Sequence, residues 1–304
     1  MSGARPVTDP TAVFAEHRAL LFTVAYEMLG SAADAEDVVQ EVWLRWAAPR
    51  SDEADKPDEI THPRAYLVRI TTRLALNRLR TLARRREDYV GPWLPEPLCT
   101  TADVADDVVL ADSVSLAVMV VLETLSPRER AVFLLREVFG FDTDEIAVAV
   151  DRTPAAVRQI AHRAKSHVQA RRPRFPAAAD EVSTAMEKFL AALTSGDIQG
   201  LMDVLAPDVV LLSDGGGKKS AARRPVRGAD DVARFLLGVL AKFPADVRVD
   251  AADVNGAPSW IVHLNGELDS VTQVVVVDGR ITQVLFVRNP DKLSRLAQPL
   301  RLTR

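Results

Sequence analysis

A chain of 304 residues is long for a single hydrophobic core and divides naturally into two or three domains, at roughly 100 to 200 residues each. With 48% apolar and 26% charged residues, global disorder, a collagen-like repeat and a coiled-coil rod are excluded. The net charge of −4 hides a segregation of charge that says more than the total.

One cysteine, Cys99, rules out a disulfide framework, and no Cys/His cluster has metal-ligand spacing. Neither metal nor cofactor is expected, and a reducing cytoplasm fits. The opening MSGARPVTDP lacks the apolar core of a signal peptide. The longest apolar stretch, Leu116 to Leu122, falls far short of the roughly 20 residues that cross a bilayer, so no membrane role is expected.

Residues 31 to 60 hold nine acids against three bases. Within DAEDVVQEVWLRW (34 to 46), Val39, Val42, Trp43 and Trp46 recur at helical spacing and predict a core stripe. The opposite face carries Asp37, Gln40, Glu41 and Leu44, an acidic and apolar patch suited to a basic protein partner.

Residues 61 to 90 reverse the sign, with eight arginines against Glu87 and Asp88. On a helix over 63 to 86, Arg69, Arg73, Asn77, Arg80 and Arg84 share one arc, beside an apolar arc of Leu67, Ile70 and Leu74. Acidic neighbours that would neutralise this face at i±4 are missing, which points to phosphates as its partner. The stretch from Glu59 to Arg64, with Thr61 and His62, is where a loop could present groups to an unstacked base.

Prolines break the chain at GPWLPEPL (91 to 98) and again at RRPRFP (171 to 176). Between them, 125 to 168 reads as a helix-turn-helix. Ser126 with Glu129 and Asp142 with Glu145 are capping boxes, Asp151-Arg152 a tight turn, and Thr153-Pro154 the start of the last helix. Its face of Arg158, Gln159, His162 and Ser166, with Arg163 beside it, suits a major groove, where Arg reads guanine and Gln reads adenine. No acid interrupts 152 to 175.

After Pro176 helical stretches near 181 to 205 and 229 to 243 surround strand-like runs, and Asp278-Gly279 between VTQVVVV and ITQVLFV predicts a hairpin. This module is α+β.

These elements, in this order, resemble the region-2 and region-4 domains of extracytoplasmic-function sigma factors. Three strings, WLPEPL (93 to 98), DGGGK (214 to 218) and NPDKL (289 to 293), are similar to motifs of the SigJ-type subgroup, which carries a C-terminal SnoaL-like domain. The resemblance implies a multidomain chain with a region-2 helical bundle (8 to 90), a linker (91 to 108), a region-4 helix-turn-helix (109 to 172) and a second linker (173 to 180). An α+β SnoaL-like cone with a curved mixed sheet would then cover 181 to 304.

It also implies a sigma factor that binds core RNA polymerase through Asp37, Gln40, Glu41 and Leu44 on the β′ clamp helices. Thr61, His62, Arg64, Arg69, Arg73, Asn77 and Arg80 would meet the promoter −10 element. Thr153, Arg158, Gln159, His162, Arg163 and Ser166 would meet the −35 element. The C-terminal domain would regulate in cis without a separate anti-sigma factor. Asp214, Gly215, Gly216, Gly217 and Lys218 would contact the segment between the DNA-binding modules. Asn289, Pro290, Asp291, Lys292 and Leu293 would latch the same surface, against Trp93, Leu94, Pro95 and Glu96.

A ligand of unknown identity could fill the cone. Catalysis is not expected: isomerase chemistry in such a cavity wants a carboxylate base and a Tyr or protonated acid, and Tyr26, Tyr66 and Tyr89 all precede this domain. Its remaining candidates are Asp250, Asp253, His263 and Asp269, with Trp260 as a wall. The alternative is a DNA-binding transcription regulator whose SnoaL-like domain binds or converts a small molecule.

Overall fold

The computed structural model describes residues 9–48, 61–100, 108–171, 177–296, 300 and 302–304. These fall into two compact units. The first gathers the described residues of Met1–Ala83, Glu123–Val168 and Arg301–Arg304, the second those of Arg84–Leu122 and Gln169–Leu300.

The first unit is helical. Helix α1 (Pro10–Leu29) starts where the Asp9 side chain accepts from Thr11 N–H and stops at Gly30, whose φ of 69° gives the left-handed cap. Ser31 then caps α2 (Ala32–Ala47). Val39, Val42 and Trp46 of α2 are buried, Trp46 donates its indole N–H to Pro10 O at 2.7 Å, and Trp43 tilts against Phe14 with ring centroids 5.0 Å apart. Helix α3 spans Pro63–Glu87 and buries Leu67 and Leu74.

In the second unit, linker residues lead to α4 (Val108–Val114) and α5 (Leu116–Leu122). The chain then returns to the first unit with α6 (Pro127–Phe133), a π-helical turn (Leu134–Val138), α7 (Thr143–Val150) and α8 (Pro154–Gln169). The Ser126/Glu129 capping box is formed, Glu145 accepts from Asp142 N–H at 3.0 Å in the second, and Asp151 makes the turn at φ 56°. This is a helix-turn-helix with a π turn that periodicity does not reveal.

Within this unit the early and late helices are pinned by arginines. Buried Arg130 donates to Met28 O and pairs with Glu123, both at 2.7 Å. Arg64 donates to Phe139 O at 3.2 Å and lies over the Phe141 ring. Arg73 donates to Val148 O at 2.8 Å. The end of the chain joins in: Leu302 is buried and Thr303 N–H donates to Thr23 Oγ1 at 3.0 Å.

The second unit centres on a six-stranded mixed sheet. It holds β1 (Leu205–Asp214), β2 (Val226–Arg227), β3 (Val247–Val254), β4 (Ala257–Leu264), β5 (Glu267–Val277) and β6 (Arg280–Val287). The order is β2-β1-β6-β5-β4-β3, with β1 parallel to β6 and the other pairs antiparallel. Register shifts at Leu205/Val210, Val262/His263 and Val275/Val276 curve it. Asn255-Gly256, Asn265-Gly266 and Asp278-Gly279, all at positive φ, make the tight hairpins that join β3 to β6.

Strand alternation then gives the sheet two different faces. Trp260, Val274, Val276 and Val284 pack under α9 (Ala179–Ser195), α10 (Ile198–Val204) and α11 (Ala229–Leu240). On the other face, Val254, Val271, Leu285 and Val287 form a core with Leu94 of the linker, Leu116 of α5, and Leu293 of the short α12 (Pro290–Leu293). The middle of the chain thus supplies an outer layer to the C-terminal sheet.

Candidate nucleic-acid interface and linker clamp

On α8, Val157, Ala161, Ala164 and Val168 are buried, which turns Arg158, Gln159, His162, Arg163 and Ser166 outward, all exposed. Thr153 Oγ1 accepts from Ala156 N–H at 3.3 Å, fixing the helix start. A rigid, donor-rich helical face of this kind can enter a major groove.

At the start of α3, Thr61 and His62 are exposed; residues 58 to 60 and the Arg84 side chain lie outside the described residues. Arg73, Asn77 and Arg80 are exposed. Asn77 Oδ1 accepts from Arg80 at 2.9 Å, and Arg69 lies over the Tyr66 ring. Arg64 and Arg73 are satisfied by the carbonyls of Phe139 and Val148. Each carbonyl takes one of the five guanidinium N–H groups and fixes where the side chain points. On α2, Asp37, Gln40, Glu41 and Leu44 form one exposed face, with Leu44 at 62% exposure. Asp37 meets Arg78 at 3.1 Å and Glu41 meets Arg45 at 2.6 Å, so the patch is less negative than its sequence suggests.

In the second unit the three motif strings meet. Asp214, at the end of β1, is fully buried. Its Oδ1 accepts from Tyr89 OH at 2.6 Å and Gly216 N–H at 3.0 Å. Its Oδ2 accepts from Leu94 N–H at 2.9 Å and Lys292 Nζ at 2.7 Å. Lys292 also donates to Leu94 O and sits over the rings of Trp93 and Tyr89. The charge is therefore paired and hydrogen-bonded, as burial demands. Asn289 Nδ2 donates to Tyr89 OH at 2.8 Å. Burial, then the adjoining Asp214 carboxylate, holds the Tyr89 hydroxyl protonated well above the usual phenol range.

The glycines fit this packing. A Cβ on Gly216, at φ 59°, would lie 2.3 Å from Asn289 Nδ2, and one on Gly215 would lie 2.3 Å from Lys219 O. Gly217 is also at positive φ, 72°. Lys218 and Asp291 close the rim with an exposed pair at 2.7 Å. Pro95, Glu96 and Leu293 are buried, whereas Pro290 is exposed.

A second anchor holds the other end of the motif. Asn255 N–H donates to Leu98 O, its Oδ1 accepts from Leu98 N–H, and its Nδ2 donates to Val114 O, each at 2.8 Å. Thr100 N–H reaches Asp253 O at 3.3 Å, and Leu300 N–H reaches Cys99 O at 3.0 Å. Tyr89 and Asn255 were not among the expected site residues. The Asn255-Gly256 pair is a turn signal, but nothing local announces that its amide captures the linker.

The cone beneath α9 and α11 encloses a cavity of about 90 Å³, walled by Phe189, Leu236, Phe243, Trp260, Val262 and Phe286. Thr194 and Thr272 are its polar lining residues. Asp250 and His263 lie 3.3 Å apart on positions that alternate with the lining Val249 and Val262, so they face away. Asp269 is engaged by Arg288 and Lys219 at 2.9 and 2.8 Å. Burial alone would raise its carboxyl pKa, but these hydrogen bonds outweigh it and hold the group below the usual range. Among the described residues, no carboxylate, imidazole or phenol lines this cavity.

Comparison with known proteins identifies the domains of the chain. Residues 13–85 match the Sigma-70 region 2 family, 115–168 Sigma-70 region 4, and 186–284 the SnoaL-like domain. Over 306 aligned positions the chain is 36% identical to the ECF RNA polymerase sigma factor SigJ of Mycobacterium tuberculosis, covering 92% of this chain and 93% of that protein. The chain belongs to the ECF sigma factors.

This sigma factor directs RNA polymerase in transcription, binding core enzyme and promoter DNA through its region-2 and region-4 domains. The crystal structure of M. tuberculosis SigJ superposes with a TM-score of 0.74 at 34% identity, over 95% of this chain and 99% of that one. The probable ECF sigma factor SigI of the same species is 32% identical over 96% of this chain and 98% of that protein. The matched region-4 segment opens with α5, which the structure places in the SnoaL-like unit. No helix among the described residues is long and apolar enough to cross a membrane.

Proposed function

We propose that this sigma factor is regulated in cis, its SnoaL-like domain restraining the linker between regions 2 and 4. The observation that carries this is buried Asp214, which binds Tyr89 and Leu94 of the linker while Lys292 returns a bond to Leu94 O. Promoter elements are separated along DNA, and Arg64 and Arg73 tie α3 to region-4 carbonyls, contacts that separating the two regions must break. Transcription therefore requires the helical unit to open, and a linker sequestered in a sheet core limits that opening. No separate anti-sigma factor is needed in this scheme.

The remaining roles are those that the resemblance to ECF sigma factors implies, and the exposure of most of these residues supports them. Asp37, Gln40, Glu41 and Leu44 dock the β′ clamp helices. Thr61, His62, Arg69, Arg73, Asn77 and Arg80 meet the −10 element, joined by Arg64 once it is released. Thr153, Arg158, Gln159, His162, Arg163 and Ser166 read the −35 element. The protein acts in the cytoplasm, with its polymerase.

The SnoaL-like domain is not an enzyme in this reading, because its cavity lining offers no general base. A ligand there must be neutral and apolar and must displace side chains, since about 90 Å³ is less than the ~150 Å³ that accommodates benzene.

In vitro transcription with core polymerase, comparing the parent chain with Asp214→Asn and Asn255→Ala, tests the scheme. Higher promoter-directed output from both variants is expected; output equal to the parent, with the linker shown to be freed by limited proteolysis, overturns it. Point changes are preferable to deleting the domain, which would expose Leu94 and Leu116.

A further inference from the structure

The segment Lys218–Arg227, KKSAARRPVR, holds five bases and no acid, and beyond Lys218 neither the clamp nor the cone accounts for it. Its frame is fixed at both ends. Lys219 pairs with Asp269, and Arg288 donates to Ser220 O at 2.7 Å. At the far end β2 pairs with β1, and Gly228 N–H donates to Val209 O at 2.8 Å. Between these anchors Arg223, Arg224 and Arg227 are exposed, and none of the three has an ion-pair partner among the described residues. A flexible loop with spare charge is common. Here the backbone is held in place while the guanidinium groups are left unneutralised.

The position matters as well. The loop packs on the chain that leaves α3: a Cβ on Gly91 would lie 3.6 Å from Ala222 O and 3.7 Å from Arg223 Cα, and one on Gly217 would touch Val90 at 3.4 Å. Helix α3 ends at Glu87, directly after the run Arg84-Arg85-Arg86. The loop therefore lies against Val90 and Gly91, residues that closely follow this basic run in sequence.

We propose that Arg223, Arg224 and Arg227 form an additional nucleic-acid contact, by which the SnoaL-like domain itself grips the phosphate backbone of duplex DNA. Arginine suits the role: its planar fork bonds two phosphate oxygens at once and its charge is never lost near neutral pH. Such contacts carry no sequence information and are read through salt. The proposal rests on the sigma-factor assignment of α3 and α8.

The test uses holoenzyme assembled from the full chain and core polymerase, with a mixed-sequence DNA duplex as probe and binding followed over a salt series. Arg223→Gln/Arg224→Gln/Arg227→Gln should weaken binding roughly 10-fold near ~0.1 M salt and flatten the slope of log K against log salt by about 2 to 3, at ~0.9 per phosphate. Single Arg224→Gln should flatten it by about 0.9, which keeps the test available if the triple variant folds poorly. An unchanged slope in both overturns the proposal, as does an unchanged slope with loss of core polymerase, which would mark an acidic protein surface as the partner. Arg158→Ala is measured alongside on a promoter duplex, since its expected contact is to −35 bases. If it too leaves binding unchanged, the assignment of α8 fails; if it weakens binding while the loop variants do not, only the loop proposal fails.

Discussion

The contacts of α3 in the helical unit and the linker clamp in the SnoaL-like unit join distant parts of the chain by opposite means. In the helical unit, α3 meets the helix-turn-helix through Arg73, an exposed side chain on a backbone carbonyl, and through half-buried Arg64. In the SnoaL-like unit, the linker is held by a carboxylate with 0% exposure, a lysine with 9%, and a shared apolar core. Exposed hydrogen bonds exchange with water at little net cost, whereas a buried ion pair is costly to separate. The α3 contacts are thus the ones that open most easily, whereas the linker clamp, like buried Arg130 between Met28 O and Glu123 in the helical unit, must be actively undone.

The largest effect expected to break this contrast comes from Lys292→Ala. It leaves Asp214 buried without its counter-charge, at a cost of about 3 to 5 kcal/mol, seen as a lower denaturation midpoint and new protease sensitivity between 84 and 100. Asn255→Ala orphans Leu98 N–H and Val114 O, and should cost about 2 to 4 kcal/mol in the same assays.

Tyr89→Phe removes a hydrogen bond to a buried carboxylate, worth about 1.5 to 3 kcal/mol. The sign of its pH dependence follows from the raised folded-state pKa. Stability from the neutral phenol is complete below the unfolded pKa of about 10 and is lost as pH rises beyond it. The parent should therefore lose stability above pH ~10 more steeply than Tyr89→Phe in alkaline denaturation. A parallel alkaline limb in the two proteins would remove Tyr89 from the clamp.

At the small end, Arg73→Ala should shift stability by less than ~0.5 kcal/mol, as for other surface changes. It should nevertheless weaken promoter binding across sequences and reduce its salt slope by about 1. Equal stability losses for Arg73→Ala and Lys292→Ala would erase the contrast between the α3 contacts and the clamp.

Much of this was legible from residues in order. The helix-turn-helix showed itself through Ser126/Glu129, Asp142/Glu145 and Thr153, since caps act over three residues and leave a local trace. The sheet showed itself through alternation and Asp278-Gly279. The meeting of WLPEPL, DGGGK and NPDKL was suggested by resemblance; spacing alone could not have given it. What stayed hidden was long-range partnering: Tyr89 lies 125 residues from Asp214, and Leu98 lies 157 from Asn255. Likewise Arg64 and Arg73 look like phosphate ligands in sequence, and only the fold shows two carbonyls already holding them. The π turn at Leu134–Val138 left no signal either, because its residues are ordinary helix formers.

One consequence of the outer layer on the sheet concerns heredity. Because Leu94, Cys99 and Leu116 finish the face of strands that are encoded far downstream, the SnoaL-like domain is not a portable module stitched to a complete sigma factor. A gene rearrangement that moved either piece elsewhere would carry a raw hydrophobic side with it.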